Sequence, residues 1–124
     1  AAWHAVREFS QLIKEYPEDD YSKLAREKLE IAYSQLAGQE MSVGRFYLRN
    51  EDYLAAMNRF LVVKNQYSQT IFEVEALYRL TEIYTVLGMD SLAKLNNKRL
   101  QKKYATSSWA EKGDNLVSIF GDFH

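Results

Sequence analysis

The stretch that most limits how this chain can fold runs from Tyr21 to Arg49 and contains no proline; its only possible breakers are Gly38 and Gly44. Tyr21, Ala25, Leu29, Ala32, Leu36, Glu40, Val43 and Tyr47 step through it by three or four residues, a stripe interrupted only at Glu40. That spacing predicts a single helix over about 21–49, roughly 44 Å long at 1.5 Å per residue. Such a rod is too long for one ordinary partner, so its front half should pack on the helix before it and its back half on the one after.

Helical spacing continues on both sides. Ala5, Phe9 and Leu12 share a face that stops at Tyr16-Pro17, because proline disfavours helical geometry in the residue before it. Glu18-Asp19-Asp20 then reads as an acidic cap on the next helix rather than as a metal or acid/base site. Asn50, Glu51 and Asp52 form a short polar turn, and Tyr53–Tyr67 is the return helix, with Ala56, Phe60 and Val63 inward. Thr70 with Glu73, and Ser108 with Glu111, have capping-box spacing and predict two further helix starts. Between them lie a helix with Leu77, Leu80, Ile83 and Tyr84 on one face, closed by Gly88, and one with Leu92, Ala93, Leu95 and Leu100. The last helix, about 108–120, takes Trp109, Leu116, Ile119 and Phe120 as its apolar side and is weakened by Gly113. The expectation is an all-α chain.

Composition narrows the function. With 16 basic and 17 acidic residues, nothing global points to nucleic acid, and 47% hydrophobic residues suffice for a core. The chain has no cysteine, and its only histidines, His4 and His124, stand near opposite ends. No thiolate or histidine-metal constellation is therefore available, and neither an enzyme nor a cofactor is expected. No apolar run approaches the ~20 residues of a membrane span. The opening AAWHAVREFS mixes charge and apolar residues at helical spacing, unlike a signal peptide, and suggests a chain cut within a repeat.

The offsets recur. Tyr47, Ala56, Phe60 and Tyr67 lie 3, 12, 16 and 23 residues after Gly44, and Tyr84, Ala93, Asn97 and Tyr104 lie at the same distances after Thr81. These are helix-turn-helix offsets of the tetratricopeptide repeat, in which small residues let helices approach and aromatics fill the gaps. Gly44, Tyr47, Ala56, Phe60, Tyr84 and Ala93 are thus structural repeat positions. The expected architecture is one domain fragment of antiparallel helix pairs in a right-handed superhelix. It comprises half a repeat over 1–17, a repeat over 20–67 with an extended first helix, a repeat over 71–104 and a capping helix over 108–120.

Two segments, AREKLEIAYSQLAGQEMSVGRFYLRNEDYLAAMNRFLVVKNQYSQT and EVEALYRLTEIYTVLGMDSLAK, resemble the BamD (ComL) family of outer-membrane assembly lipoproteins. The resemblance spans nearly the whole chain, includes the long helix, and corresponds to the C-terminal repeats of that family. It implies a non-enzymatic scaffold of the β-barrel assembly machinery that binds the periplasmic POTRA region of BamA, at its last POTRA domain. It also implies contact with other small lipoproteins of the complex and a place on the periplasmic face of the outer membrane, through an N-terminal lipid anchor absent from this chain.

Candidate partner residues follow. Arg59 borders the buried stripe and must reach water, pair with an internal carboxylate, or face a partner. The resemblance places Asn58 and Arg59 near the BamA contact, opposite an acidic residue. Arg45 and Arg49, with Met41 and Leu48, take positions that line the inner groove of a repeat array, where peptides commonly bind. They do not reproduce the Lys/Asn carboxylate clamp of chaperone-tail binders, yet a generic peptide-binding adaptor or co-chaperone module is the alternative reading. Lys98, Arg99, Lys102 and Lys103 read as a solvated helix end rather than a nucleic-acid patch.

Overall fold

The computed structural model describes residues 2–17 and 20–121, apart from the side chains of Phe120 and Gly121. Every regular element among them is a helix: α1 (Ala2–Glu15), α2 (Asp20–Arg49), α3 (Tyr53–Gln66), α4 (Glu73–Val86), α5 (Asp90–Lys103) and α6 (Ser108–Gly121). Each packs on its neighbour in sequence, and α6 also returns to α4. Of the expected acidic cap, Glu18 and Asp19 lie outside the described residues, as does His124, while Asp20 opens α2.

The long helix is present at 30 residues, but its buried face is not one stripe. Ser22, Ala25, Ala32 and Leu36 are buried in its front half, Ala37, Met41 and Gly44 in its rear. At about 100° per residue the inward face turns by roughly a quarter to a third of a circle between Leu36 and Ala37. The turn reflects two partners, α1 along the front and α3 along the rear. Tyr21, expected inside, is 73% exposed, and Met41, expected on the groove, is wholly buried. The α1–α2 corner is held by the Ser22 hydroxyl donating to the Tyr16 carbonyl and by Arg26 Nη2 donating to the Pro17 carbonyl at 2.7 Å.

The main core joins the rear of α2 to α3, α4 and the start of α5, around Met41, Phe60, Leu80 and Ile83, none of them exposed. Each such side chain contributes about 1.5–3 kcal/mol by leaving water. Gly44 is required here, because a β-carbon would stand 2.7 Å from Phe60 Cε1. Ala56 is wholly buried, Tyr84 and Ala93 nearly so, and Tyr47 partly. A second, smaller cluster joins Leu77, Leu100 and Ala110 and ties α6 to α4 and α5.

The 37-residue offset extends into the turns. Glu51 and Gly88 stand at the same point after α2 and α4, both with positive φ, 59° and 73°. Both turns close alike: Asp52 N–H donates to the Tyr47 carbonyl and Met89 N–H to that of Tyr84, while Glu51 and Gly88 donate to Leu48 and Thr85. This is the Schellman arrangement, which favours glycine at the left-handed position. After α3 and α5, Thr70 and Ser107 donate their hydroxyls to the Tyr67 and Tyr104 carbonyls at 2.8 and 2.7 Å.

Neither expected capping box forms. α4 begins after Phe72, with no side-chain cap, and Glu73 turns inward instead of back to Thr70. α6 is capped one residue earlier than the spacing predicts, by Ser107 Oγ accepting from Ala110 N–H at 3.1 Å. Gly113 does not merely weaken α6: it is buried, and a β-carbon there would lie 2.5 Å from Asn97 Oδ1 and 2.9 Å from Leu100 Cδ2. Ile119 is 57% exposed, so Ala110 and Gly113 make the seam in its place. On α5, likewise, Leu92 and Leu95 face outward while Asn96 and Asn97 are buried.

Candidate partner-binding site

Two charged depressions flank the rear of α2. The larger, of about 510 Å³, is lined by Arg45, Leu48 and Arg49 of α2, Glu51 and Tyr53 of the following turn, and Arg79, Glu82 and Val86 of α4. Arg45 grips Glu75 with a two-pronged contact, Nε to Oε2 at 2.9 Å and Nη2 to Oε1 at 2.6 Å. Arg79 joins the same carboxylate at 3.2 Å, reaches Glu82 at 3.3 Å, and lies over the Tyr78 and Trp109 rings at 5.7 and 5.4 Å. Burial pushes the Glu75 carboxyl up, but its bonds to Arg45 and Arg79 outweigh this and hold it below the usual range. Arg45 is therefore committed to fixing α2 on α4. Arg49 lines the same groove, is exposed, and makes no ion pair among the described residues.

The smaller depression, of about 340 Å³, is lined by Glu40 and Tyr47 of α2 and by Ala55, Asn58, Arg59 and Val62 of α3. Arg59 Nη1 donates to both oxygens of Glu40, at 3.2 and 3.5 Å. The guanidinium side chain is 43% exposed and Asn58 is exposed. Of the three environments open to Arg59, an internal carboxylate and partial access to water are thus both realised. Glu40, which breaks the apolar stripe of α2, was the sequence signal for this pair; Glu75, Arg79 and Glu82 stand at i,i+4 and i,i+3 spacing on α4, but nothing local showed that Arg45, thirty residues earlier, joins them.

The basic cluster of α5 divides. Lys98 and Lys102 are exposed, but Arg99 and Lys103 hold the fully buried Glu73 at 2.8 and 2.5 Å, and the Tyr104 hydroxyl donates to it at 2.6 Å. All four residues are exposed at the end of α5, and two of them also neutralise a carboxylate taken out of water. Among the described residues no cluster of acids and histidines could hold a metal, and no helix is long and apolar enough to cross a membrane.

The stacked helices, the shared turn geometry and the glycine-to-aromatic seam define a tetratricopeptide-like helical repeat protein. Residues 1–112 match the outer membrane lipoprotein family YfiO, and the chain belongs to that family. It is 38% identical over 112 residues to the outer membrane protein assembly factor BamD of Rickettsia prowazekii, covering 90% of this chain and 45% of the relative. It is 36% identical over 121 residues to BamD of Caulobacter vibrioides, covering 98% and 40%, and 30% identical to BamD of Neisseria meningitidis over 103 residues, covering 83% and 39%. The chain spans less than half the length of these curated relatives.

Proposed function

We propose that this chain is the partner-binding part of an outer-membrane protein assembly factor in a Gram-negative cell, a scaffold that works by holding another protein in fixed orientation. The partner is the periplasmic POTRA region of BamA, at its last POTRA domain, with the small lipoproteins of the complex as further neighbours. The whole protein sits on the periplasmic face of the outer membrane through a lipid anchor upstream of this segment. The observation that carries this reading is the Arg59 cleft. A half-exposed guanidinium beside Asn58, with Tyr47 and Val62 as apolar walls, suits an acidic side chain set in an otherwise neutral surface. Arg45 and Arg49 belong to the adjoining groove, where Arg49 is the cation available to a partner.

Affinity capture with the full-length protein should recover a POTRA-barrel protein, and Arg59→Glu should weaken that binding while leaving helicity by circular dichroism unchanged. Recovery of cytosolic chaperones in its place would overturn the reading in favour of a general peptide adaptor. Unchanged affinity of the variant would remove Arg59 from the interface.

A further inference from the structure

The two ion pairs that flank α2 differ in kind. Arg45 meets Glu75 with two nitrogens, and that carboxylate is only 11% exposed. Arg59 meets Glu40 with one nitrogen at 3.2 and 3.5 Å, and no other guanidinium nitrogen of Arg59 has an acceptor among the described residues. Geometry of the second sort is easily exchanged, since a single-nitrogen contact open to water is worth little on its own.

Nor does the repeat require it. Thirty-seven residues further on, Leu77 stands where Glu40 does and Asn96 where Arg59 does, exposed by 0% and 1%. The fold therefore builds the corresponding place without charge, and a Glu–Arg pair in the first copy is not a packing necessity. Its location in an open cleft with apolar walls gives it a different use.

Resting on the reading of this cleft as the partner contact, we infer that Glu40 is a placeholder for a carboxylate of the bound partner. In the free chain it keeps Arg59 neutralised and aimed into the cleft. On binding, an Asp or Glu side chain of the partner displaces it, and Arg59 exchanges one carboxylate for another. A neutral side chain cannot displace Glu40 without forfeiting the ion pair, so the pair also selects for acidic partners. The cost is affinity, because the internal carboxylate competes with the incoming one.

The test is a calorimetric titration of full-length wild type, Glu40→Gln, Arg59→Gln and the double variant with a BamA POTRA fragment. The expected result is that Glu40→Gln binds tighter by roughly 1.5- to 5-fold, the range set by an exposed ion pair. Arg59→Gln should bind more weakly, and in its background Glu40→Gln should gain nothing. Glu40→Leu, which installs the residue found 37 positions later, should reproduce the gain. Equal or weaker binding by both Glu40 variants, with Arg59→Gln still impaired, overturns the placeholder and leaves the Arg59 contact standing. Wild-type affinity for Arg59→Gln, or no binding by wild type, overturns both.

Discussion

Phe60 lies against Gly44 so closely that a β-carbon on the glycine would stand 2.7 Å from Cε1 and 2.9 Å from Cζ of the ring. The ring is wholly buried and has no space to give. Alanine would gain about 1 kcal/mol of helix propensity, whereas overpacking a closed core costs about 1–3 kcal/mol. Gly44→Ala is therefore expected to lower stability by up to about 2 kcal/mol in urea denaturation. Phe60→Leu should cost less in that background than in the wild type, because the two residues share one space.

Glu51 bears a left-handed backbone, φ 59°, where the corresponding turn has Gly88. A side chain there costs roughly 1–2 kcal/mol, partly offset by the greater freedom glycine has when unfolded. Glu51→Gly should stabilise the chain by about 0.5–1 kcal/mol, seen as a melting temperature raised by a few degrees. Gly88→Ala should shift it the other way.

Glu73 and Glu75 make the fold sensitive to acid. Burial pushes the Glu73 carboxyl up, but hydrogen bonds from Lys103, Tyr104 and Arg99 prevail and hold it below its ordinary value, as Arg45 and Arg79 do for Glu75. A carboxyl whose folded-state pKa is depressed adds stability that is fully present above its unfolded value of about 4.3 and is lost as pH falls through the folded value. The melting temperature should thus fall steeply below about pH 4.3, and Glu73→Gln should flatten that fall while lowering stability near neutrality.

Arg45 and Arg59 should separate by stability. Removing Arg45 leaves Glu75 largely buried with Arg79 as its remaining partner, a loss of about 1–3 kcal/mol. Removing Arg59 leaves Glu40 with access to water and should cost under about 1 kcal/mol. Parallel urea titrations of the two alanine variants check the order.

Helices and repeat offsets were legible in the sequence because period and spacing are local properties. The uninterrupted run from Tyr21 forecast α2, and the Gly44 and Phe60 offsets pointed to the seam. What the pattern could not show is where a second partner rotates the inward face. Between Leu36 and Ala37 the stripe changes sides, so Met41 went inside; Tyr21, in the first turn of α2, stays exposed. Polar interiors were missed for the same reason. Asn96, Asn97 and Glu73 look like surface residues until the groups that satisfy or crowd them arrive from α4, α5 and α6. Arg59 was legible as a border residue, and Glu40 as an interruption, but only tertiary structure joins them.

The 30 residues of α2 carry α1 on one end and α3 on the other, on sides that differ by a fraction of a turn. Its helical geometry runs without a break through both contact regions, so the two ends belong to one continuous element. α1 and the Arg59 cleft are mounted on one shaft. If α1 were to move, the Glu40 and Tyr47 side of the cleft is the surface to which α2 would carry that motion.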